Sequence, residues 1–317
     1  MHTRRIGSLT VSAVGLGCNN FGRSVDAAGT AAIVHAALDA GVTFFDTADI
    51  YGGTLSEEYL GRALGDRRHE AVVATKFGMR VDDARRGAHP AYVKRAAEDS
   101  LRRLGTDVID LYQLHEPDPA VPVADTLGAL DELVREGKVR EIGCSNFSVA
   151  QLREAAAAAA AVPTEAHFVS VQNEYSLLQR APEHDGVLAE CERTGVAFLP
   201  YFPLADGLLT GKYRRGQALP PGARLSAGTG RAAGRLADAN LACVERLAAV
   251  AARAGHPVLD LAFAWLLARP AVASVIAGAT KPEQVRANAA AAEWRLSDGD
   301  LAAVDAALAD TADGVAA

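Results

Sequence analysis

Ala71-Val72-Val73-Ala74-Thr75-Lys76 and, some thirty residues on, Val108-Ile109-Asp110-Leu111-Tyr112-Gln113-Leu114-His115 are two short apolar runs, each ending on an ionisable side chain. Between them Pro90 opens a helical stretch, so the segment reads as strand, helix, strand, the unit of a parallel sheet. The alternation extends in both directions. Strand candidates are Ala13 to Gly17, Thr43 to Asp46, Ala71 to Thr75, Val108 to Leu114, Val139 to Cys144, Phe168 to Gln172, Val196 to Pro200 and Ser274 to Ile276, each followed by a helical stretch. Eight such pairs in 317 residues predict an α/β fold, a (β/α)8 TIM barrel formed as a single domain over 1–317, since such a barrel needs about 250 residues.

Boundary chemistry supports this parse. Gly41 follows a helix ending near Ala40, Pro90 opens another, and Ser148, Pro282 and Ser297 stand where helix starts are expected. Ahead of the first barrel strand, Arg4 to Ile6 and Leu9 to Val11 flank Gly7-Ser8. This reads as an N-terminal hairpin that could plug the lower mouth of a barrel, or as an irregular arm. A long loop after strand 7, 203–235, rich in Gly, Pro and Arg, is a candidate lid, with surface disorder as the alternative. Ala155 to Ala161 is low in complexity but reads as helix, because Ala is the best helix former.

Composition narrows the function. A net charge of −7 and a pI near 5.6 argue against nucleic-acid partners, which demand an excess of Lys and Arg. Cys18, Cys144, Cys191 and Cys243 lie far apart, predicting neither a metal site nor disulfides but reduced thiols. With no signal-like start and no run of about 18 apolar residues, no membrane segment is expected and the protein is placed in the cytoplasm. Oligomeric state is left open by the sequence.

The polar residues fall at strand C-terminal ends. Asp46 ends the second strand, Lys76 follows the third and His115 the fourth; Ser145 and Asn146 follow the fifth, Gln172 and Asn173 close the sixth, and Tyr201 follows the seventh. Singly each has a structural explanation, but a closed barrel gathers these ends at one mouth, where its chemistry sits. A phenol with a pKa of about 10 is a poor acid at neutral pH, and a nearby ammonium lowers that value. Tyr51 beside Lys76 would thus be a proton donor, Asp46 would hold the ammonium, and His115 would hydrogen-bond a carbonyl oxygen. Only five of the 32 basic residues are lysines, and Lys76, Lys212 and Lys281 fall at strand-end or loop positions assigned to the site, where an ammonium is not interchangeable with a guanidinium.

At these residues the chain resembles the aldo-keto reductase superfamily, in its bacterial form with a short C-terminus. The matching segments are Phe45-Asp46-Thr47-Ala48-Asp49-Ile50-Tyr51-Gly52, Thr75-Lys76, Leu111-Tyr112-Gln113-Leu114-His115, Gly143-Cys144-Ser145-Asn146-Phe147, Val171-Gln172-Asn173-Glu174-Tyr175, and Tyr201 through Leu209-Thr210-Gly211-Lys212-Tyr213. The resemblance implies an NADPH-dependent carbonyl reductase with Asp46, Tyr51, Lys76 and His115 as catalytic tetrad. It further implies that Ser145, Asn146 and Gln172 bind the nicotinamide carboxamide, that Tyr201 stacks on the ring, and that Leu204 and Lys212 reach the pyrophosphate. The adenosine end would lie on Gly278, Thr280 and Lys281 and on Gln284 and Asn288 of the helix behind them, whose first amides suit a phosphate. Lys281 and Arg286 favour NADPH (NADP+) over NADH, while Gln284 stands where many relatives carry Arg.

The substrate expected is a small-molecule carbonyl compound. Cys18-Asn19-Asn20-Phe21 departs from the bulky apolar residues common in the family, and the chain stops at Ala317 without a long substrate loop, both against a steroid. Asn19, Asn20, Asp49 and Glu116 could hydrogen-bond a hydroxylated or sugar-like carbonyl, with Phe77, Phe147 and Phe202 as an aromatic wall. Other enzyme classes fit poorly. Gly15 to Gly22 misses the dinucleotide-fold glycine spacing, no tyrosine has Lys four residues on, and Pro119 stands at the second His position of a zinc-hydrolase motif opening at His115-Glu116. The rival reading is a redox-sensing regulatory subunit with slow turnover, resembling the potassium-channel β subunits.

Overall fold

The computed structural model describes residues 1–161, 166–227 and 231–309. Strands β1 (Thr3–Ile6) and β2 (Leu9–Ser12) pair antiparallel around Gly7-Ser8, so the N-terminal segment is the hairpin and not an irregular arm. Eight parallel strands follow: β3 (Val14–Gly17), β4 (Phe44–Asp46), β5 (Val72–Phe77), β6 (Ile109–Leu114), β7 (Val139–Ser145), β8 (Phe168–Glu174), β9 (Ala197–Tyr201) and β10 (Val275–Gly278). They form one sheet in the order β10-β3-β4-β5-β6-β7-β8-β9. The barrel closes between β9 and β10 by a narrow seam, where Phe198 N donates to Ala271 O at 2.7 Å and Ala273 N to Phe198 O at 3.0 Å. This is the expected TIM barrel.

Side chains on a strand alternate between its two faces. Phe45, Val73, Phe77, Tyr112 and Leu114 point outward into the main core, against helices such as Pro90–Leu104. Phe44, Ala74, Leu111 and Leu199 point inward and pack with Ile6, Leu9 and Val11 of the hairpin in a second, smaller core. The hairpin therefore fills the N-terminal mouth of the barrel. Glu141 of β7 fastens it by accepting from Ser8 N at 2.6 Å.

The predicted helix signals function as caps. Pro90 opens Pro90–Leu104, Ser148 forms a capping box with Gln151 at Val149–Ala160, and Pro282 is the first residue of Pro282–Ala291. Ser297 accepts from Asp300 N at 3.2 Å ahead of Asp298–Ala309. Ala161, the last residue of the alanine run, is the C-cap of its helix.

The last strand is placed differently from expectation. The eighth barrel strand runs from Val275 to Gly278 and not from Ser274 to Ile276, because Ser274 turns its hydroxyl to Ser12 O at 2.8 Å while Gly278 still pairs with Gly17. The expected long loop follows strand 7, and its described residues, 203–227 and 231–235, carry local structure. It contains 3-10 turns at Ala205–Thr210 and Arg224–Ala227 and a short helix Arg231–Arg235. Buried Tyr213 and Leu225 pack it down, and Asp206 bonds Arg224 at 3.5 Å and Arg235 at 3.3 Å. Helices Asp238–Arg253 and Val258–Leu267 then intervene before β10, the second of them buried on every side. The four cysteines are buried and not joined in disulfides, and no single helix among the described residues is long and apolar enough to cross a membrane.

Candidate active site

Above the apolar interior layer, the next inward position on successive strands is polar. Phe44 is followed by Asp46, Ala74 by Lys76, and Leu111 by Gln113 and then His115. Lys76, wholly buried, donates from Nζ to Asp46 Oδ2 at 2.6 Å and to Thr47 O at 2.8 Å. The other carboxylate oxygen, Oδ1, accepts from Gln172 Nε2 at 2.9 Å and Gln113 Nε2 at 3.3 Å. Tyr51 opens a 3-10 turn, Tyr51–Thr54, in which Gly52 and Gly53 are left-handed. The turn brings the tyrosine ring to 5.1 Å from Lys76 Nζ and 5.8 Å from the His115 ring, edge to face at 79°. The four residues named from the sequence are thus brought together.

Their electrostatics differ from expectation in one respect. Burial pushes the Tyr51 phenol up; Lys76 pulls it down but does not prevail, because Asp46 beside it works the other way. Tyr51 therefore holds its proton more firmly than a free tyrosine. Burial also works against the Lys76 ammonium, but Asp46 and Tyr51 outweigh it and its pKa lies above the ordinary value. His115 is pushed down to about 3 by burial and then by Lys76, so the imidazole is neutral across the physiological range. Its Nδ1 is buried without a partner.

A second group lies at the ends of β7 to β9. Ser145 Oγ donates to Gln172 O at 2.7 Å, Asn146 Nδ2 to Ser145 Oγ at 3.1 Å and to His115 O at 2.9 Å, and Tyr201 OH to Asn146 Oδ1 at 2.9 Å. Leu204 precedes the Ala205–Thr210 turn, and Lys212 Nζ lies 5.1 Å from the Tyr213 ring. At the end of β10, Gly278 leaves room where a Cβ would meet Asn20 at 3.3 Å, Lys281 is the N-cap of Pro282–Ala291, and Asn288 is buried on that helix. The helix start offers fewer free amides than expected. Thr280 N donates to Gln284 Oε1 at 2.7 Å, Pro282 has no N–H, and Gln284 N turns back to Lys281 O at 3.1 Å.

The aldo/keto reductase family model matches residues 13–309. The chain belongs to that family. This aldo-keto reductase is 34% identical over 313 residues to an uncharacterised oxidoreductase of Bacillus subtilis (strain 168), covering 96% of this chain and 95% of the relative. It is similar in structure to a glycerol dehydrogenase of Gluconobacter oxydans, with a TM-score of 0.84 and 31% identity over 99% of this chain and 97% of the other. It is also similar to an aldo-keto reductase of Bacillus halodurans in its holo form, with a TM-score of 0.80 and 31% identity over 97% and 96% of the two chains. The chain is accordingly an oxidoreductase of the class that uses nicotinamide cofactors on C=O and CH–OH groups.

The substrate-facing residues read from the sequence of this reductase are sorted by the structure. Asn20 is spent on the scaffold, its Nδ2 on Ala279 O at 3.2 Å and its Oδ1 on Arg224 at 2.9 Å. Asp49 is buried against Tyr92, whose hydroxyl it accepts at 3.3 Å. Phe77 stacks on Tyr112 at 4.6 Å and Phe147 meets Phe168 at 5.6 Å, both in the layer between strands and helices. All four are buried. Asn19, the exposed Glu116 and the partly exposed Phe202, edge-on to Tyr201 at 5.2 Å, stay in loops at the strand ends. Gln113 was missed, although it shares the inward parity of Leu111 and His115.

Proposed function

We propose that this aldo-keto reductase uses NADPH to convert an aldehyde or ketone into its alcohol, with Tyr51 giving the proton. Residues at the ends of β7 to β10 would hold the NADPH, which when bound would supply a hydride from its nicotinamide C4. The observation that carries this reading is the buried Lys76–Asp46 pair beneath the Tyr51 ring, 2.6 Å between charges and 5.1 Å from ammonium to ring centroid. As negative charge develops on the phenol oxygen, the ammonium, wholly buried and already held in place, stabilises it without reorganisation. Asp46, gripped by Lys76, Gln113 and Gln172, keeps the ammonium in place. The neutral His115 orients the substrate oxygen toward Tyr51 by hydrogen bonding, without competing as an acid.

The chain's own residues fit the cofactor. Ser145, Asn146 and Gln172 suit the carboxamide, the Tyr201 ring suits the nicotinamide face, and Leu204 and Lys212 suit the pyrophosphate. Gly278, Thr280, Lys281, Gln284 and Asn288 suit the adenosine end. All five described non-glycine residues with left-handed backbone, Thr54, Asn146, Phe202, Ala205 and Asp206, lie in loops at this mouth. Such strain gathers at functional sites. Since few helix amides remain free near Thr280, selection of the 2′-phosphate falls to the exposed Lys281 and Arg286 side chains. The 203–235 segment acts as the lid, and four cysteines not joined in disulfides support a reducing cytoplasm as the setting. A hydroxylated carbonyl compound suits Asn19 and Glu116, and the likeness to a glycerol dehydrogenase supports that class.

Tyr51→Phe should lose nearly all carbonyl reduction, about 10³-fold or more for a general acid, and still bind NADPH in a fluorescence titration. Retained turnover would assign the proton elsewhere. Michaelis constants should be lower for NADPH than NADH, and Lys281→Ala should narrow the gap; a lower value for NADH refutes the preference. Steady turnover of 4-nitrobenzaldehyde separates an enzyme from a sensor oxidised once per chain, and a panel of keto-sugars against short aromatic aldehydes tests the substrate class.

A further inference from the structure

Gln113, in β6, is wholly buried on the inward side, two residues before His115. Its Nε2 donates to Asp46 Oδ1 at 3.3 Å, and its Oε1 faces Gln172 Nε2 at 3.5 Å, a long contact. Gln172 Nε2 donates in turn to the same Asp46 Oδ1 at 2.9 Å. A primary amide has two N–H hydrogens and one carbonyl oxygen. Both hydrogens of Gln172 are directed inward, one to the carboxylate and one to Gln113, and its Oε1 is left for a ligand. A flipped Gln172 would aim its oxygen at the carboxylate and at Gln113 Oε1 together, losing a charge-assisted bond and opposing three acceptors. Gln113 cannot flip to relieve this, because its own oxygen would then meet Asp46. Asp46 alone would engage one hydrogen of Gln172; the second is taken up by Gln113.

We propose that Gln113 is a positioning residue that locks the Gln172 amide with only its carbonyl oxygen offered outward, so that the site selects a nicotinamide ring whose carbonyl substituent carries an N–H. The inference rests on the reading that Gln172 meets the carboxamide. Its consequence is selective: an analogue with a carbonyl but no amide hydrogen should be discriminated against, and Gln113, which never touches the cofactor, should control how strongly.

The test measures dissociation constants of the intact protein for NADPH and for its reduced 3-acetylpyridine counterpart, in which a methyl ketone replaces the carboxamide. The wild type should bind the acetylpyridine form about tenfold or more weakly. Gln113→Met, similar in length but apolar, frees a Gln172 hydrogen to turn outward and should shrink that ratio about fivefold. Gln113→Asn, one methylene too short to reach either partner, should shrink it too and serves if the Met variant is unstable. Gln113→Glu, protonated between Asp46 and Gln172, restores donor and acceptor and should restore the ratio. An unchanged ratio in folded Met and Asn variants overturns the proposal while leaving Gln172 on the carboxamide. A ratio unmoved by Gln172→Ala overturns that underlying reading, and this inference with it.

Discussion

Asp46 and Asp49 are three residues apart, and both are nearly excluded from solvent, yet only Asp46 has an ammonium against it. Asp49 has the Tyr92 hydroxyl at 3.3 Å and an Oδ1 with no partner. Burial, and then the Glu57 carboxylate nearby, push its pKa up to about 7 despite Arg103. The folded protein thus keeps a proton that the unfolded chain releases near pH 4. Stability from this group is complete below pH 4 and is lost as pH rises toward 7, by about 4 kcal/mol at most. Asp49→Asn should match the wild type in melting temperature at pH 4 and exceed it at pH 8. An offset that does not change with pH would sink this account. The sequence gives no warning of it, since Asp49 sits in the Asp-Tyr motif like any polar loop residue; only the packing of Pro90–Leu104 above it reveals the missing partner.

At the scale of elements, the Tyr51–Thr54 turn aims the Tyr51 ring at Lys76 and His115, and its two glycines are not equivalent. A Cβ on Gly52 would lie 2.3 Å from Phe21 O, a backbone atom, whereas one on Gly53 meets nothing within 4 Å. Both have positive φ, so alanine strains either, by about 1 kcal/mol for conformation alone. Gly52→Ala must also push the turn off the loop after β3. It should reduce kcat by tenfold or more, while Gly53→Ala lowers the melting temperature slightly and keeps the rate. Equal effects in kinetic assays would show that the close approach does not matter. Strand ends were legible because apolar runs stop at Asp46, Lys76 and His115. The facing of individual residues was legible too, but only by parity. Lys76 faces in, so Phe77 must face out, and Leu111 and His115 face in, so Gln113 must as well. Phe77 was misread by its position at a strand end alone. In the loops holding Asn20 and Phe147 parity lapses, and no sequence signal replaces it.

Across the whole molecule the barrel is uneven. Pairing between neighbours from β3 to β9 covers three to five residues, whereas across the closure β9 is bonded at Phe198, to residues 271–273 just ahead of β10. Local opening is cheapest where backbone bonds are fewest. Native-state hydrogen exchange should find the Phe198 and Ala273 amides less protected than those of β5 and β6, and uniform protection would contradict the seam. Eightfold alternation was enough to predict the barrel. It did not single out Val258–Leu267 beside that seam, because a helix apolar all round has no face to betray its period. The 203–235 segment was hard to read for the opposite reason. Its contacts, Asp206 with Arg224 and Arg235, join residues far apart in sequence across short turns.

The hairpin at the lower mouth has one more consequence. With Ile6, Leu9 and Val11 packed into the barrel from below, the polar side chains at the strand ends are closed off from that side. Were a cofactor and a substrate both to enter from above, whichever sat deeper would have to arrive first and leave last, a queue paced by departures as much as by the reaction.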